Sequence, residues 1–311
     1  MRALPSNRLV VTSAAAGGVG SEREPPPAGV DLIEKWLRGE DPDLAPHLLL
    51  VGRTGSGKTT AARAILMRAL RLGPFNAIVL DWDEEYADLL PLEVFEPPFE
   101  VSAPLLLVAD ALAEVERPEE GGHGVAAHLR RVLETGDLKR AIARLRYDEL
   151  TLPRSVADAA AARLEAISRY VELKHAPEPE ELEEGIYLIS QILSIWERAT
   201  VQQFLTSYYV FTKRSPVPSI LLIEEGGMGA RTTFLKHILA LARRRRIKII
   251  HISQTLPPFE VLSNFEVLLF DSDWKTRRTL GAPIPDSPLK PGECWWVRRA
   301  RPPQKIRFKV R

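Results

Sequence analysis

The chain has 311 residues, of which 45% are apolar, so it can bury a sizeable core as one large domain or a core with an inserted subdomain. Its formal net charge is only +1, which excludes a general basic field as the source of any binding to nucleic acid and leaves local patches. The single cysteine, Cys294, excludes an intramolecular disulfide and is predicted to be a small buried residue, and the six scattered histidines offer no metal cluster.

Apolar runs are short throughout the sequence. No stretch approaches the roughly 18 consecutive apolar residues of a membrane span, and the N-terminus lacks the apolar region of a secretion signal. The sequence therefore predicts a cytoplasmic protein with no membrane span.

Residues 1–44 are predicted to form an arm that ends in a short helix. The first 29 residues are rich in Ala, Gly and Pro without a sustained period, which is typical of an arm or linker. The segment from Asp31 to Arg38 predicts a helix, because Glu34 stands at the capping-box position and Gly39 can end it.

The stretch from His47 to Thr60, HLLLVGRTGSGKTT, contains the phosphate-binding pattern G-x-x-x-x-G-K-[ST]. It follows a buried apolar run and leads into a helical pattern, which is the context that this pattern needs. Its glycines allow consecutive backbone N–H groups to point at phosphate oxygens, and the helix N-terminus adds positive potential. A glycine-rich turn that binds nothing is the alternative.

Two side chains of this loop are predicted to contact the nucleotide and its metal. Lys58 would reach the β- and γ-phosphates of ATP, and the Thr59 hydroxyl would bind Mg²⁺. Thr60 is either a second hydroxyl ligand or a residue of the first helical turn. The predicted nucleotide-binding loop consists of Gly52, Arg53, Thr54, Gly55, Ser56, Gly57, Lys58, Thr59 and Thr60.

A second buried strand, Ala77 to Leu80, ends at Asp81, and the segment DWDEEY that begins there is strongly acidic. The carboxyl ends of parallel strands form the edge at which ligands bind in open α/β sheets. Asp81 and Glu85 are therefore candidate site residues, and an ordinary solvated acidic loop is the alternative.

Residues 99–185 are predicted to form a helical insertion on the rim of the sheet. Apolar stripes with helical spacing run from Leu138 to Leu145 and from Val156 to Val171, and their other faces are charged. Narrow stripes of this kind indicate core contacts rather than a binding groove.

The remaining strands and helices alternate along the chain. The predicted strands are Ile186 to Ile189, Ser219 to Ile223, Ile247 to Ile252, Cys294 to Val297 and Ile306 to Val310, and helices are predicted up to Thr212 and from Thr232 to Arg245. This alternation predicts an α/β fold with a mostly parallel, doubly wound sheet and helices on both faces.

Two glutamates follow the apolar strand SILLI. Hydrolysis of a nucleotide needs a metal that bridges the phosphates and a group that orients water. Glu224 suits the first role by facing Mg²⁺, and Glu225 suits the second by polarising the attacking water. The alternative is a buried strand whose acidic end meets solvent.

Two further positions have both a catalytic and an ordinary interpretation. Gln254, at the tip of the next strand, could sense the γ-phosphate, although glutamines at strand tips are also common loop residues. Arg243 to Arg246 end a helix, where positive charge complements the helix dipole, but phosphoryl transfer also benefits from a guanidinium supplied in trans.

These segments together resemble the HerA/FtsK superfamily of hexameric DNA-pumping ATPases, and most of all its HerA branch. The resemblance covers roughly residues 45–95 and 186–311. It rests on HLLLVGRTGSGKTT, LDWDEEY, SILLIEE and RRRRIKIIHISQTLPPFEVLSNFEVLLF, with Asp81, Glu85, Tyr86, Ser253, Gln254, Leu262 and Ser263 on the positions of the HerA signature.

The resemblance implies a RecA-like, ASCE-type P-loop core. It also implies that the subunits form a ring, expected to be a hexamer, with ATP at the subunit interfaces and double-stranded DNA in the pore. Arg243 matches the arginine of the family's G-R-K segment. It is therefore the expected arginine finger, which one subunit supplies in trans to the nucleotide of its neighbour. The terminal β-hairpin is similar to the family's C-terminal extension, which packs near the nucleotide of a neighbouring subunit; its residues include Trp295, Trp296, Arg298 and Arg299.

The predicted order of helices and strands, together with the resemblance, divides the chain into four parts. The predicted parts are the arm and short helix at 1–44, the first part of the ATPase core at 45–98, the insertion at 99–185 and the second part of the core with the hairpin at 186–311.

The sequence departs from the family at two points. Glu224 stands where the family usually has Asp, and its side chain is one methylene longer, which leaves the metal geometry open. The N-terminal β-barrel of full-length HerA has no counterpart, which leaves open any partnership with a nuclease that such a domain would mediate.

Three functions are consistent with these residues. The first is an ATP-driven DNA translocase that acts in chromosome processing, DNA transfer or the packaging of a viral genome. The second is an energising ATPase of a conjugation, secretion or pilus machine. The third is a nucleotide-binding scaffold that hydrolyses slowly. The sequence does not identify the pathway or a nuclease, pilus or capsid partner.

Overall fold

The computed structural model describes most of the chain from residue 30 onward. The described residues are 30–82, 85–86, 92–95, 98–114, 129–133, 137–147, 154–175, 185–190, 195–212, 217–224, 232–271, 274–298 and 301–308. The predicted arm at 1–29 therefore lies outside them.

The helices described from end to end are α1 (Val30–Arg38), α2 (Lys58–Leu72), α3 (Leu105–Glu114), α4 (Leu138–Tyr147), α5 (Arg154–Ser168), α6 (Ile195–Thr212), α7 (Thr232–Arg244), α8 (Phe259–Leu262) and α9 (Trp274–Leu280), and residues 129–133 are helical as well. The strands are β1 (His47–Val51), β2 (Asn76–Asp81), β3 (Leu92–Phe95), β4 (Phe99–Ala103), β5 (Val171–His175), β6 (Gly185–Ser190), β7 (Ser219–Ile223), β8 (Ile247–Ser253), β9 (Phe265–Leu269), β10 (Glu293–Val297) and β11 (Gln304–Arg307). Of the helices in the described ranges, none combines the length and the apolar character that crossing a bilayer requires.

Nine strands form one sheet in the order β11-β10-β9-β1-β8-β7-β2-β6-β3. The seven strands from β9 to β3 are parallel, and the hairpin of β10 and β11 joins β9 in the antiparallel sense. Strand β8 separates β1, which leads into the phosphate loop, from β7, which ends before Glu224. The predicted RecA-like core, with its mostly parallel sheet, is confirmed.

The registers place the ends of the central strands at one edge of the sheet. Val51 pairs with Ser253, and Leu80 pairs with Ile223. The segments that follow β1, β2, β7 and β8 therefore leave the sheet at the same edge, although they are far apart in the chain.

The apolar strand β1 is buried on both faces, as its continuous run of apolar residues predicts. Because side chains alternate along a strand, Leu48 and Leu50 pack with helices α1 and α2, whereas Leu49 and Val51 pack on the opposite face with α6 and α7. The phosphate loop thus begins at a strand that is fixed from both sides.

The predicted insertion contains strands as well as helices. Strands β4 and β5 form a separate two-stranded parallel sheet, and Val171, predicted to extend a helical stripe, lies in β5. Helix α5 ends at Ser168, and the carbonyl oxygen of Tyr170 accepts a hydrogen bond from the Phe99 N–H at 2.6 Å. Pairing with β4 therefore overrides the local helical spacing. The domain boundaries themselves stay a prediction.

His47 connects three elements at the amino end of β1. The Ile249 N–H of β8 donates to Nδ1 at 3.0 Å, so the ring donates from Nε2 to the Leu239 carbonyl oxygen of α7 at 3.1 Å. Burial lowers the pKa of His47 to about 3, although the bond to Leu239 acts in the opposite direction. The ring is therefore neutral and fixes α7 against β1 and β8.

The C-terminal hairpin is joined to the rest of the sheet by a buried carboxylate. Glu266 of β9 accepts a hydrogen bond from Trp296 Nε1 at 2.8 Å and from the Ala45 N–H at 2.7 Å. Burial raises the pKa of Glu266, and these two donors oppose the rise. The carboxylate ties the hairpin to the segment that leads into β1.

We expect the pH dependence of stability to weaken in a His251→Leu variant. The buried Nδ1 of His251 in β8 has no hydrogen-bond partner within the described part of the chain, and burial lowers the pKa of His251 to about 4. As the pH falls below about 6.5, the unfolded chain binds a proton that the folded chain resists, so stability is lost. Between pH 7 and pH 5 the variant should lose about 2 kcal/mol less than the wild type. Urea unfolding at both pH values measures this, and equal losses would contradict it.

Candidate functional site

The phosphate loop has the backbone shape that its glycines predict. Gly55 and Gly57 have φ angles of 78° and 96°, in the left-handed region that favours glycine. A Cβ atom at Gly52 would lie 2.6 Å from Ser56 Oγ and 3.1 Å from the Asp271 backbone nitrogen. The loop is therefore folded tightly upon itself and against the end of β9.

Two groups of the loop are suited to a phosphate. Lys58 is buried at the start of α2, and its Nζ donates to the Arg53 carbonyl oxygen at 3.0 Å. The buried Ser56 Oγ has no hydrogen-bond partner among the residues that the structure describes. Buried polar atoms are normally paired, and phosphate oxygens would supply acceptors to both the hydroxyl and the ammonium group.

Asp81 organises the acidic turn that follows β2. Its buried carboxylate accepts the Glu85 N–H at 3.1 Å and the Tyr86 N–H at 2.9 Å. The turn thereby brings Glu85 to helix α2, where Thr59 Oγ1 donates to Glu85 Oε2 at 2.7 Å and Arg63 donates to the Glu85 carbonyl oxygen at 3.1 Å. The two acidic residues predicted from the sequence thus adjoin the predicted metal ligand.

Glu224 joins the same network from the end of β7. It is only 3% exposed, its N–H donates to the Leu80 carbonyl oxygen at 3.3 Å, and the Tyr86 hydroxyl donates to its Oε1. Burial raises the pKa of Glu224 to about 7, and the charges of Glu85 and Asp81 add to the rise, whereas the Tyr86 hydroxyl opposes it. The carboxylate is thus held close to other negative groups in a poorly solvated place.

These oxygens fit a magnesium ion. Mg²⁺ takes oxygen ligands and usually only one or two carboxylates from a protein, with phosphates and water completing its shell. The Thr59 hydroxyl and the Glu224 carboxylate are the residues that would hold it, because both belong to the network next to the phosphate loop. A cation there would offset the mutual repulsion of Asp81, Glu85 and Glu224.

The structure places Gln254 beside the phosphate loop as well. It follows Ser253, whose carbonyl oxygen accepts the Gly52 N–H at 3.4 Å, and its side chain is exposed. Glu225 follows Glu224 directly but lies outside the described residues. The roles of both residues stay predictions.

Arg243 lies at the opposite edge of the sheet from the phosphate loop of its own chain. It is exposed in the last turn of α7, and its charge reaches His47 at the amino end of β1, where it contributes weakly to the lowered pKa of that ring. Strand β1 rises about 13 Å from His47 to Val51, so Arg243 is not part of its own chain's phosphate site.

Two contributions to the site were not anticipated from the sequence. Tyr86 was matched only as a position of the signature, whereas its hydroxyl is a donor to Glu224. Asp271 accepts hydrogen bonds from Arg53 Nε at 2.8 Å and, through its carbonyl oxygen, from the Arg53 N–H at 3.3 Å. An acid directly after the apolar run FEVLLF was the signal available for Asp271, because it repeats the pattern seen at Asp81.

Solved structures with the same fold include a bacterial conjugative coupling protein and VirB4. Plasmid coupling protein TrwB in complex with a non-hydrolysable ATP analogue has a TM-score of 0.63 at 12% identity over 88% of this chain and 87% of that chain. VirB4 of Thermoanaerobacter pseudethanolicus has a TM-score of 0.60 at 13% identity over 85% of this chain and 89% of that chain. At such low identity these likenesses show the fold alone.

The sequence itself matches one family model, described as the central domain of the helicase HerA, over residues 41–186. Residues 41–186, just under half of the chain, are therefore similar to the central domain of HerA, and the core has the fold of a RecA-like P-loop ATPase. A comparison with curated proteins gives no match. The HerA match includes the phosphate loop and the acidic turn at Asp81, and the chain is a P-loop ATP hydrolase, for which ATP and Mg²⁺ are the cofactors that the site fits.

We expect a Tyr86→Phe variant of this P-loop ATPase to need a higher pH for turnover. Removing the hydroxyl removes a donor that lowers the pKa of Glu224, so this pKa should rise by about one unit. If turnover needs the ionised carboxylate of Glu224, the activity of the variant should fall on acidification at a pH about one unit higher than that of the wild type.

The pH profile of kcat/KM for ATP hydrolysis, which reports the ionisation of the free enzyme, measures this shift. Tyr209→Phe is the matched control, because its hydroxyl is also buried but donates to Asn76 Oδ1 at the other end of β2. Identical acid limbs in the Tyr86→Phe variant and the wild type would contradict the assigned contact.

Proposed function

We propose that this chain is an ATP-driven DNA translocase that acts as a ring of identical subunits. The observation that carries the proposal is the convergence of Lys58, Thr59, Glu85 and Glu224 from three distant segments on one edge of the sheet. The match of residues 41–186, which include the phosphate loop, to the central domain of the helicase HerA supports the proposal.

In the proposed reaction each residue has a limited task. Lys58 and the backbone N–H groups of the phosphate loop hold the phosphates, and Thr59 and Glu224 would hold Mg²⁺, which would supply positive charge to the transferred group. Glu225 takes the proton from the attacking water or orients it, and Gln254 detects the γ-phosphate through its amide. Glu224 is longer than the usual Asp, but its contact with Tyr86 shows that the extra methylene does not remove it from the network.

Assembly of subunits is part of the proposal because Arg243, the arginine expected to act in trans, lies far from the phosphate loop of its own chain. Arg243 is exposed at the edge opposite to its own phosphate loop, so in a ring it would contact the triphosphate of another subunit rather than its own. A ring, with six subunits as the expected number, brings this edge of one subunit to the nucleotide of the next.

DNA binding is proposed for the inner surface of the ring. Since the net charge is only +1, local groups must make these contacts. The segment after Gln254 is one candidate, and the exposed Phe259 lies in it. The second candidate, Gly226 to Arg231, lies outside the described residues.

A second candidate function is an energising ATPase of a conjugation or secretion machine in the cytoplasm. It is favoured by the fold that the chain shares with the conjugative coupling protein TrwB and with VirB4. A slowly hydrolysing scaffold is a weaker third candidate, because Glu224 takes part in the network despite its length. A capsid, pilus or nuclease partner stays open under each.

We expect the mass of the assembly and its ATP turnover to respond to ligands. Mass photometry should show rings with ATP and duplex DNA, and duplex DNA should stimulate hydrolysis. Stimulation should fall steeply between 50 and 200 mM salt, because contacts with phosphates release counterions. A monomer whose ATP turnover is the same with and without duplex DNA would contradict the translocase function. Rings whose turnover does not respond to DNA would favour the energising ATPase.

We also expect two inactive variants to restore activity when they are mixed. Lys58→Ala should abolish turnover by removing the phosphate contact, and Arg243→Ala should lower it by at least about 100-fold if the guanidinium acts in trans. In mixed rings an intact phosphate loop can meet an intact Arg243 from its neighbour.

Steady-state hydrolysis of the mixture measures the recovery. Arg244→Ala is the matched control, since Arg244 is equally exposed in the same helical turn and should retain turnover. No recovery in mixed rings, or an Arg243→Ala variant as active as the wild type, would contradict the role in trans.

A further inference from the structure

A cavity of about 900 Å³ opens beside the phosphate loop. Its lining includes Gly55, Ser56 and Thr60 of the loop and the end of β9 but, among the described residues, neither Lys58 nor Thr59. Strand β9 adjoins β1 on the side away from β8, β7 and β2, so the cavity lies on the other side of the loop from the carboxylate network. Its volume is within the range of roughly 300–1,000 Å³ that ligand pockets have.

The far wall of this cavity is the C-terminal part of the chain. Residues 287–293 and the hairpin of β10 and β11 line it. Gly292 has a φ of 80°, and a Cβ there would lie 2.7 Å from the Phe308 carbonyl oxygen, while its own carbonyl oxygen accepts the Phe308 N–H at 2.8 Å. The wall is therefore a tightly folded element, and the bond between Glu266 and Trp296 fixes it to the sheet.

Two residues that line the cavity carry buried donors without a hydrogen-bond partner within the described ranges. These donors are the indole Nε1 of Trp295 and the guanidinium Nε of Arg277. Arg277 is held in place by donating from Nη1 to Asp286. Both groups can only donate, and buried donors are normally paired, so they would suit an occupant that presents acceptor atoms.

We propose that this cavity binds the base and ribose of the nucleotide whose phosphates lie in the phosphate loop, with Trp295 and Arg277 as donors. A nucleoside presents ring nitrogens and ribose oxygens as acceptors and a flat base that can lie against the indole of Trp295. The proposal deepens the nucleotide site and rests on it. It assigns the nucleoside contacts to the same chain that supplies the phosphate loop.

The test compares binding of MgADP with binding of Mg-pyrophosphate, which has the same phosphates without the nucleoside. The variants are Trp295→Phe and Arg277→Gln, and the matched controls are Trp274→Phe and Arg278→Gln, two exposed residues of α9 that do not line the cavity. Isothermal calorimetry on the full chain gives each affinity, and circular dichroism checks that each variant is folded.

The wild type should bind ADP more tightly than pyrophosphate. Each cavity variant should bind ADP about fivefold to tenfold more weakly, the effect of losing one buried hydrogen bond, with its pyrophosphate affinity unchanged. Both controls should match the wild type. Because the two variants change different side chains, the proposal can still be tested with one variant if the other does not fold.

Three results would overturn the proposal. If the wild type binds ADP and pyrophosphate equally, the nucleoside lies elsewhere and the phosphate site stands. Normal ADP binding by both cavity variants would also leave the phosphate site intact but remove the assigned donors. Binding of neither ligand by the wild type would remove the nucleotide site itself, and the proposed function with it.

Discussion

Two hydrogen bonds from hydroxyl groups to carboxylates connect the segments of the nucleotide site. One joins Thr59 at the start of α2 to Glu85, and the other joins Tyr86 to Glu224 at the end of β7. Asp81 accepts hydrogen bonds from the backbone N–H groups of Glu85 and Tyr86. Both hydroxyl–carboxylate bonds therefore involve a residue of the same turn. The phosphate loop and strand β7 are therefore positioned relative to each other by the acidic turn that contacts both.

The same network concentrates negative charge where solvent cannot screen it. Asp81 and Glu224 are buried, and the raised pKa of Glu224 shows the cost of ionising a further carboxylate there. On the other side of the phosphate loop the cavity offers donors instead, on Trp295 and Arg277. The phosphate loop thus has carboxylates on one side and hydrogen-bond donors on the other. The carboxylates suit a metal-bound triphosphate, and the donors suit a neutral nucleoside.

Much of the core could be predicted from the sequence because its strands are buried on both faces. Continuous apolar runs identified β1, β2, β7 and β8, and the acids that follow them identified Asp81 and Glu224 at the shared edge. What could not be predicted depends on partners that are distant in the chain. Val171 pairs with Phe99 in a strand, and Tyr86 reaches Glu224 across 138 positions of the sequence. The hairpin was predicted, but its position as a wall beside the phosphate loop was not.

The neutral ring of His47 has a mechanical consequence for an assembly of such subunits. It binds α7 through Leu239 and β8 through Ile249, and it is itself the first residue of the strand that leads to the phosphate loop. Tightly packed interiors transmit displacement rather than absorb it. In the proposed ring, a shift of β1 on nucleotide binding would therefore also move the end of α7 that carries Arg243, and each subunit would couple the state of its own nucleotide to that arginine.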